Sequence, residues 1–276
     1  KAGYTAEEQI ASLPTVMRLA QAAATDLATA ATIATVVMKE FRMDPDQFNE
    51  AADKITLAAN RTLGTVEDLG YSFKYVGALA ANIGADFGDL TAAIGLLHNA
   101  GLKGTLAGTA LRGMLMALYN PTRDETKLIA ELGERIGGLG LQIQDASGNF
   151  VGYGKIVKQL EQAGITTGEV LRFFGQRAGP GMAALLAQGS DALKNLEDDL
   201  KNAEGTTAHM AEIMEQTLKG RLLLMRSAFE ALLDSIGHNL APTLAAAANA
   251  MAEFVSRFVA VRQEFPALAT AVDHVL

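Results

Sequence analysis

The residues able to do chemistry are few and scattered. His98, His209, His238 and His274 are far apart, and none has a second histidine or a carboxylate at ligand spacing within a recognised motif. His98 lies in an apolar stretch, where a histidine is more often a core residue than a base. The acidic runs Glu7-Glu8, Asp124-Glu125 and Glu197-Asp198-Asp199 fall in first helical turns or on solvated faces, where the helix dipole and solubility explain them. Without cysteine, thiolate metal sites, disulfides and Cys–His pairs are excluded. No Gly-x-Ser-x-Gly elbow is present.

Two partial motifs fail on residue order. Lys103 precedes Gly104 and Thr105, whereas a P-loop needs Gly-Lys-Ser/Thr, so that backbone N–H groups and the lysine surround the phosphates. A dinucleotide fingerprint needs a preceding strand, and Leu90 to His98 reads as helix. Asp145, Ser147 and Asn149 match the first alternate ligands of a calcium loop. Phe150, however, stands where the bend needs glycine, and Ile156 where a carboxylate is needed. The sequence predicts no catalytic residue, no cofactor-binding residue and no metal ligand.

What remains is packing. Asn99 to Leu118 sets Gly101, Gly104, Gly108 and Gly113 among Leu102, Leu106, Leu111, Met114, Leu115 and Leu118. A glycine inside a helix costs about 0.5–1 kcal/mol relative to alanine. These four glycines are therefore read as sites of close helix packing, and this helix as the packing centre of the chain.

The elements that position it are helical. Alanine and leucine dominate, and aromatics are only 6% of the chain. Helix starts are marked by Thr5 with Glu8, Asp26, Asp44-Pro45, Thr65 to Asp68, Asp86, Thr122 with Glu125, and Thr166 with Glu169. Pro14 is expected to divide the opening into two short helices, and Gly179-Pro180-Gly181 to form a turn. Leu139, Leu141 and Ile143 alternate with polar residues before the turn residues Asp145 to Asn149, which predicts a small β-hairpin over about 139–151. Beyond Gly205, Leu218, Leu222, Met225, Phe229, Leu232 and Ile236 step by four and three. That is a heptad seam, suited to an oligomer contact or to the flank of a bundle. The expected fold is mainly α, a multi-helix bundle with one hairpin and a long C-terminal helix with a coiled-coil-like seam. The expected domains are 1–204 and 205–276.

Charge and hydropathy narrow the function classes. A net charge of −8 with scattered lysines makes a poor nucleic-acid binder. The longest run free of charged side chains, Ser235 to Ala252, contains His238, Asn239, Pro242 and Asn249, so membrane insertion as it stands is not expected. The chain opens on Lys1 without a signal peptide and reads as a segment of a longer protein.

An ordered set of motifs carries a resemblance: Lys74-Tyr75-Val76-Gly77, Asn99-Ala100-Gly101-Leu102-Lys103-Gly104, Ala107-Gly108-Thr109-Ala110-Leu111-Arg112 and Asn120-Pro121-Thr122. It continues through Asp145 to Asn149 and Phe174-Gly175-Gln176-Arg177-Ala178-Gly179, reaches upstream to Leu19-Ala20 and Asp53, and fades beyond about Leu240. Together these resemble the core region of tail tape-measure proteins of tailed phages and prophages.

The resemblance implies a helical structural protein made in the host cytoplasm and packed in the lumen of the virion tail. It would set tail length during assembly and leave at genome ejection. Its implied partners are tail tube proteins, the tail tip or baseplate, tail assembly chaperones and copies of itself, as a trimer or hexamer. The family's core carries no catalytic residues to transfer. Gly84 and Asp86 to Asp89 suggest a folded knob instead of a plain rod. Two alternatives stand beside this reading. Gly84/Gly88, Gly104/Gly108 and Gly133/Gly137 match the small-xxx-small spacing of a membrane-active module at the host inner membrane. A peptidoglycan hydrolase would need two carboxylates in different environments.

Overall fold

The computed structural model describes residues 5–138 and 140–217, and over these the chain is helical. In order run α1 (Ala6–Ala23), α2 (Leu27–Phe41), α3 (Pro45–Arg61), α4 (Val66–Asn82), α5 (Phe87–Asn99), α6 (Thr105–Tyr119), α7 (Arg123–Arg135), α8 (Tyr153–Gln162), α9 (Thr167–Gln188), α10 (Ser190–Lys201) and α11 (Thr206–Gln216). One compact unit ends at Ile213; a second begins at Met214, of which only 214–217 are described. The seam Leu218, Leu222, Met225, Phe229, Leu232 and Ile236 lies outside the described residues.

Most helix starts follow from local chemistry. Thr5, Asp44, Thr65, Thr122 and Thr166 accept from the backbone three residues on, while Glu8, Gln47, Asp68, Glu125 and Glu169 reach back. Asp26 and Asp86 cap α2 and α5 in the same way without the reciprocal bond. Each such cap contributes about 1 kcal/mol to its helix.

The enclosed helix is α5, not the glycine-rich α6. Every residue from Phe87 to His98 is buried, and α3, α4, α6, α8, α9 and α10 all pack against it. A helix apolar on all sides belongs at the centre of a bundle. Its polar side chains have partners. Thr91 donates to the Phe87 carbonyl at 2.6 Å, His98 lies against Ser72, and Asp89 accepts from α8. On one flank α2, α4, α6 and α9 follow one another as packed neighbours. Phe41, Phe73 and Phe87 form an aromatic cluster where α2, α4 and α5 meet, with Phe73 and Phe87 stacked at 5.0 Å.

Three local expectations change. α1 runs through Pro14 without a break. The carbonyl that Pro14 leaves without a donor belongs to Ile10, which is 69% exposed, so water can serve it. α9 bends at Gly175 (φ +68), and Gly179-Pro180-Gly181 is helical. Gly181 is needed for packing: a Cβ there would lie 2.8 Å from Ala110 Cβ and from Met114 Cε. The hairpin over 139–151 narrows to a single antiparallel bridge, Gln144 to Phe150, and no strand occurs among the described residues.

Neighbouring backbone groups in the hairpin stretch are spent elsewhere. Phe150 N–H donates to the Ile83 carbonyl at 2.9 Å. The Gln159 side-chain amide serves both the N–H and the carbonyl of Gln142, at 2.7 and 2.9 Å. A ladder that loses its donors to tertiary partners cannot extend.

Candidate functional site

The four glycines singled out by sequence fall into two classes. Gly101 (φ +84) and Gly104 (φ +54) lie in the turn between α5 and α6, Gly104 as the residue that caps α6. A Cβ on Gly101 would meet nothing within 4 Å, so its backbone conformation, not crowding, calls for glycine. Gly104 and Gly108 therefore do not share a helix face. Gly108 and Gly113 lie inside α6 at close approaches. A Cβ on Gly108 would overlap the Ser72 carbonyl and lie 2.9 Å from Tyr75 Cβ; one on Gly113 would lie 2.9 Å from Ala178 Cβ. Two residues carrying the family resemblance thus meet in space, Tyr75 of α4 and Gly108 of α6, and a third, Ala178 of α9, packs against Gly113.

The turn before α6 is held from three sides. Ser72 Oγ lies 2.8 Å from the Gly104 carbonyl and 3.3 Å from His98 Nε2. Asn99 Oδ1 accepts the Leu63 N–H at 2.8 Å. His98 is fully buried, and a Cβ at Gly64 would overlap its ring. Burial pushes the His98 imidazole down to about 4; Asp68 opposes this and Lys103 adds to it, so the ring is neutral at neutral pH. A neutral imidazole is thus wedged between backbone segments, its Nδ1 without a partner among the described residues.

Glycine also precedes three later helices, and each is capped by a distant carboxylate. Asp89 of α5 accepts Tyr153 N–H at 2.8 Å and Gly154 N–H at 3.2 Å, at the start of α8 behind Gly152. Glu161 of α8 accepts Ser190 N–H at 3.0 Å and the Ser190 hydroxyl at 2.6 Å, at the start of α10 behind Gly189. Asp53 of α3 accepts Gly205 N–H and Thr207 N–H, both at 2.8 Å, at the start of α11. Orphan N–H groups and the positive end of the helix dipole attract a carboxylate wherever it comes from. A carboxylate in one helix thus pins the first turn of another. Sequence reading gave neither Asp89 nor Glu161 a capping role. The signal was available: a helix start with glycine in the capping place and no local acceptor needs a partner from elsewhere.

The Asp145–Asn149 turn is a further clasp. Asp145 Oδ1 accepts the Ser147 and Asn149 N–H groups, and those bonds hold its carboxyl below the usual range. Asn149 covers Gly84, where a Cβ would overlap its side chain. The turn is thereby docked on the α4–α5 link, and its carboxylate is spent on the backbone.

Shallow clefts lie at the surface. One of about 310 Å³, lined by Arg18, Asn49 and Asp53 among others, sits between α1, α3 and α11. One of about 240 Å³ runs between α2 and α4 beside Tyr71 and Lys74. Among the described residues no group of three His, Asp or Glu is placed to hold a metal ion, and no helix is long and apolar enough to cross a membrane.

The arrangement is one of helix-to-helix clasps. A family model described as phage-related minor tail protein matches residues 1–172. The chain belongs to the phage-related minor tail protein family. Within the match lie α1 to α8 and the first turn of α9, with the Asp89 clasp and the α4–α6 contact. Two curated relatives extend the likeness. The tape measure protein of Pneumococcus phage Dp-1 is 30% identical over 264 residues, covering 94% of this chain and 22% of that protein. The probable tape measure protein of Escherichia phage P2 is 25% identical over 240 residues, covering 84% of this chain and 29% of that protein. The family member described here thus spans less than a third of the length of either relative. No solved structure matches it.

Proposed function

We propose that this chain is the folded core section of a phage tail tape measure protein, acting as structure and docking surface with no bond-making chemistry of its own. The observation that carries the reading is the 30% identity to a protein named tape measure along 94% of the chain. The all-helical fold with interlocked caps supports it.

In this reading the protein sits in the lumen of the tail and contacts the tail tube, the tail tip or baseplate and the assembly chaperones. Copies associate as a trimer or hexamer through the 218–236 seam. The bundle over 1–204 is a knob, and 205–276 continues as a long helical segment. Gly108 and Gly113 are the close-packing positions that keep α4, α6 and α9 together. A fully helical chain of this length would measure at about 1.5 Å per residue. A bundle folded back on itself does not, so the knob anchors the ruler while length comes from elsewhere in the protein.

The test is an in-frame deletion of the 1–204 bundle in a phage encoding this chain, with tails measured by electron microscopy. Anchoring predicts missing or malformed tails. A deletion of equal size in a rod segment predicts tails shortened by about 1.5 Å per residue removed. Normal, infectious tails without the bundle would sink the reading.

A further inference from the structure

His98 stands at the C-terminal end of α5, fully buried, and two connections close over it. One is the α3–α4 link. Its Gly64 lies against the ring, where a Cβ would overlap Nδ1, and the neighbouring Leu63 N–H donates to Asn99 Oδ1 at 2.8 Å. The other is the α5–α6 turn, whose Gly104 carbonyl lies 2.8 Å from Ser72 Oγ. Hydrogen-bond accounting assigns the tautomer of the ring. The single proton of the Ser72 hydroxyl is claimed by two carbonyls, Asp68 at 2.9 Å and Gly104 at 2.8 Å. Its lone pairs therefore accept, and the ring donates Nε2–H to Ser72 Oγ at 3.3 Å. Nδ1 is left with a bare lone pair, no partner among the described residues, and Gly64 where water would stand.

A proton arriving at Nδ1 creates a buried donor with nothing to accept it, which is costly. The charged groups acting on the ring are Asp68 of α4, which favours its cation, and Lys103 of the turn, which opposes it. No charged group on α3, α6, α8, α9 or α10, the other helices packed against α5, acts on it. Both covers are light. Leu63 is 66% exposed, and a Cβ at Gly101 would meet nothing within 4 Å. Segments with so little buried contact open without the rest of the fold.

We infer that His98 is an acid-operated latch: a proton taken up at Nδ1 releases the 62–65 link and the 100–104 turn together, while the remaining helices stay packed. The device does not rest on the tape-measure reading. In the open form the ring faces water and holds its proton up to the ordinary 6.5; in the closed form burial keeps it neutral down to about 4. Opening therefore grows about tenfold per unit as pH falls from 6.5 towards about 4, and is unaffected above that window.

The experiment is amide exchange of the full chain at about pH 7 and about pH 5, corrected for the intrinsic exchange rate. It is run on the wild type and on His98→Gln, which keeps a side-chain N–H for Ser72 but cannot titrate. The reporters are Leu63 N–H in the link and, in the turn, Leu102 N–H, which donates to the Leu97 carbonyl at 2.9 Å. We expect their protection in the wild type to fall about twentyfold between the two conditions, with no loss in the middle of α2 and no such fall in His98→Gln. If His98→Gln does not fold, the ring nitrogens of wild-type His98, read by nuclear magnetic resonance, take its place. A neutral Nε2–H ring at about pH 5, beside the same local loss of protection, is then the expected result. A ring that titrates near 6.5 in the folded chain, an Nδ1–H tautomer, equal pH dependence in variant and wild type, or loss of protection spread over the whole bundle overturns the inference. So does unchanged protection of the reporters in the wild type.

Discussion

Asp89 and Tyr153 are 64 positions apart, yet the carboxylate of one accepts the backbone N–H of the other at 2.8 Å. That bond joins the most enclosed helix to the start of α8, and Gly154 N–H reinforces it at 3.2 Å. Gly152 makes the approach possible, since a Cβ there would lie 2.9 Å from Asp89 Oδ1. Replacing Asp89 with alanine leaves one buried donor, Tyr153 N–H, and one part-buried donor, Gly154 N–H, without their acceptor, and the buried one costs about 1–3 kcal/mol. Asp89→Ala should lower the urea midpoint accordingly, with amide exchange rising first in α8. An unchanged midpoint would mean that water or another group serves those donors.

The same carboxyl predicts a pH dependence. Burial pushes Asp89 up to about 7, against the opposing pull of the Tyr153 and Gly154 N–H groups. The folded state then holds a proton that the unfolded state releases near 3.8. The contribution of Asp89 to stability is fully present below 3.8 and falls as pH rises towards about 7. The difference in unfolding free energy between wild type and Asp89→Asn should shrink over that window by up to roughly 4 kcal/mol. A flat difference from pH 4 to pH 8 would show the carboxylate already charged in the fold.

Glu169 predicts the opposite sign at the surface. The Arg135 side chain and the Thr166 N–H hold its carboxyl at about 2, below the usual 4.5. What it contributes is present above 4.5 and lost as pH falls towards about 2. Exposure keeps the effect small, below about 1 kcal/mol, and salt should reduce it. Comparing wild type with Arg135→Gln in acid titrations at low and high salt checks both points.

Gly108 and Gly101 separate packing from conformation. Gly108→Ala would drive a methyl into the Ser72 carbonyl and should cost about 1–3 kcal/mol by overpacking. Gly101→Ala meets open space but at φ +84, and should cost about 1–2 kcal/mol through the backbone alone. Gly101→Asn should recover part of that loss, whereas Gly108→Asn should be worse than alanine. Denaturant midpoints of the four variants decide it.

Asp53 should control how firmly the start of α11 is held. Asp53→Ala removes the acceptor of Gly205 N–H and Thr207 N–H, while the Thr56–Thr207 hydroxyl contact at 3.1 Å and the bond from Thr206 N–H to the Ala203 carbonyl at 3.0 Å stay. Limited proteolysis should then cut faster near Gly205 while cleavage elsewhere is unchanged. Uniformly faster cleavage would indicate global destabilisation instead.

The helix starts at Thr5, Asp26, Asp44, Thr65, Asp86, Thr122 and Thr166 were legible in the sequence because their bonds close within a single turn. So was the all-helical class, carried by alanine, leucine and helical periodicity. The caps of α8, α10 and α11 were not, since the acceptors Asp89, Glu161 and Asp53 stand 64, 29 and 152 positions from the N–H groups they serve. The enclosure of α5 was equally hidden. Its spacing marks an apolar helix, but only the packing of six neighbours decides that no side of it faces water. Gly101 and Gly108 look alike in sequence, and tertiary structure alone assigns one to a left-handed turn and the other to a close approach. The chain by itself determined the local bonds that begin its helices. Which remote carboxylate meets which helix end was decided by folding, because that choice depends on distances no local pattern encodes.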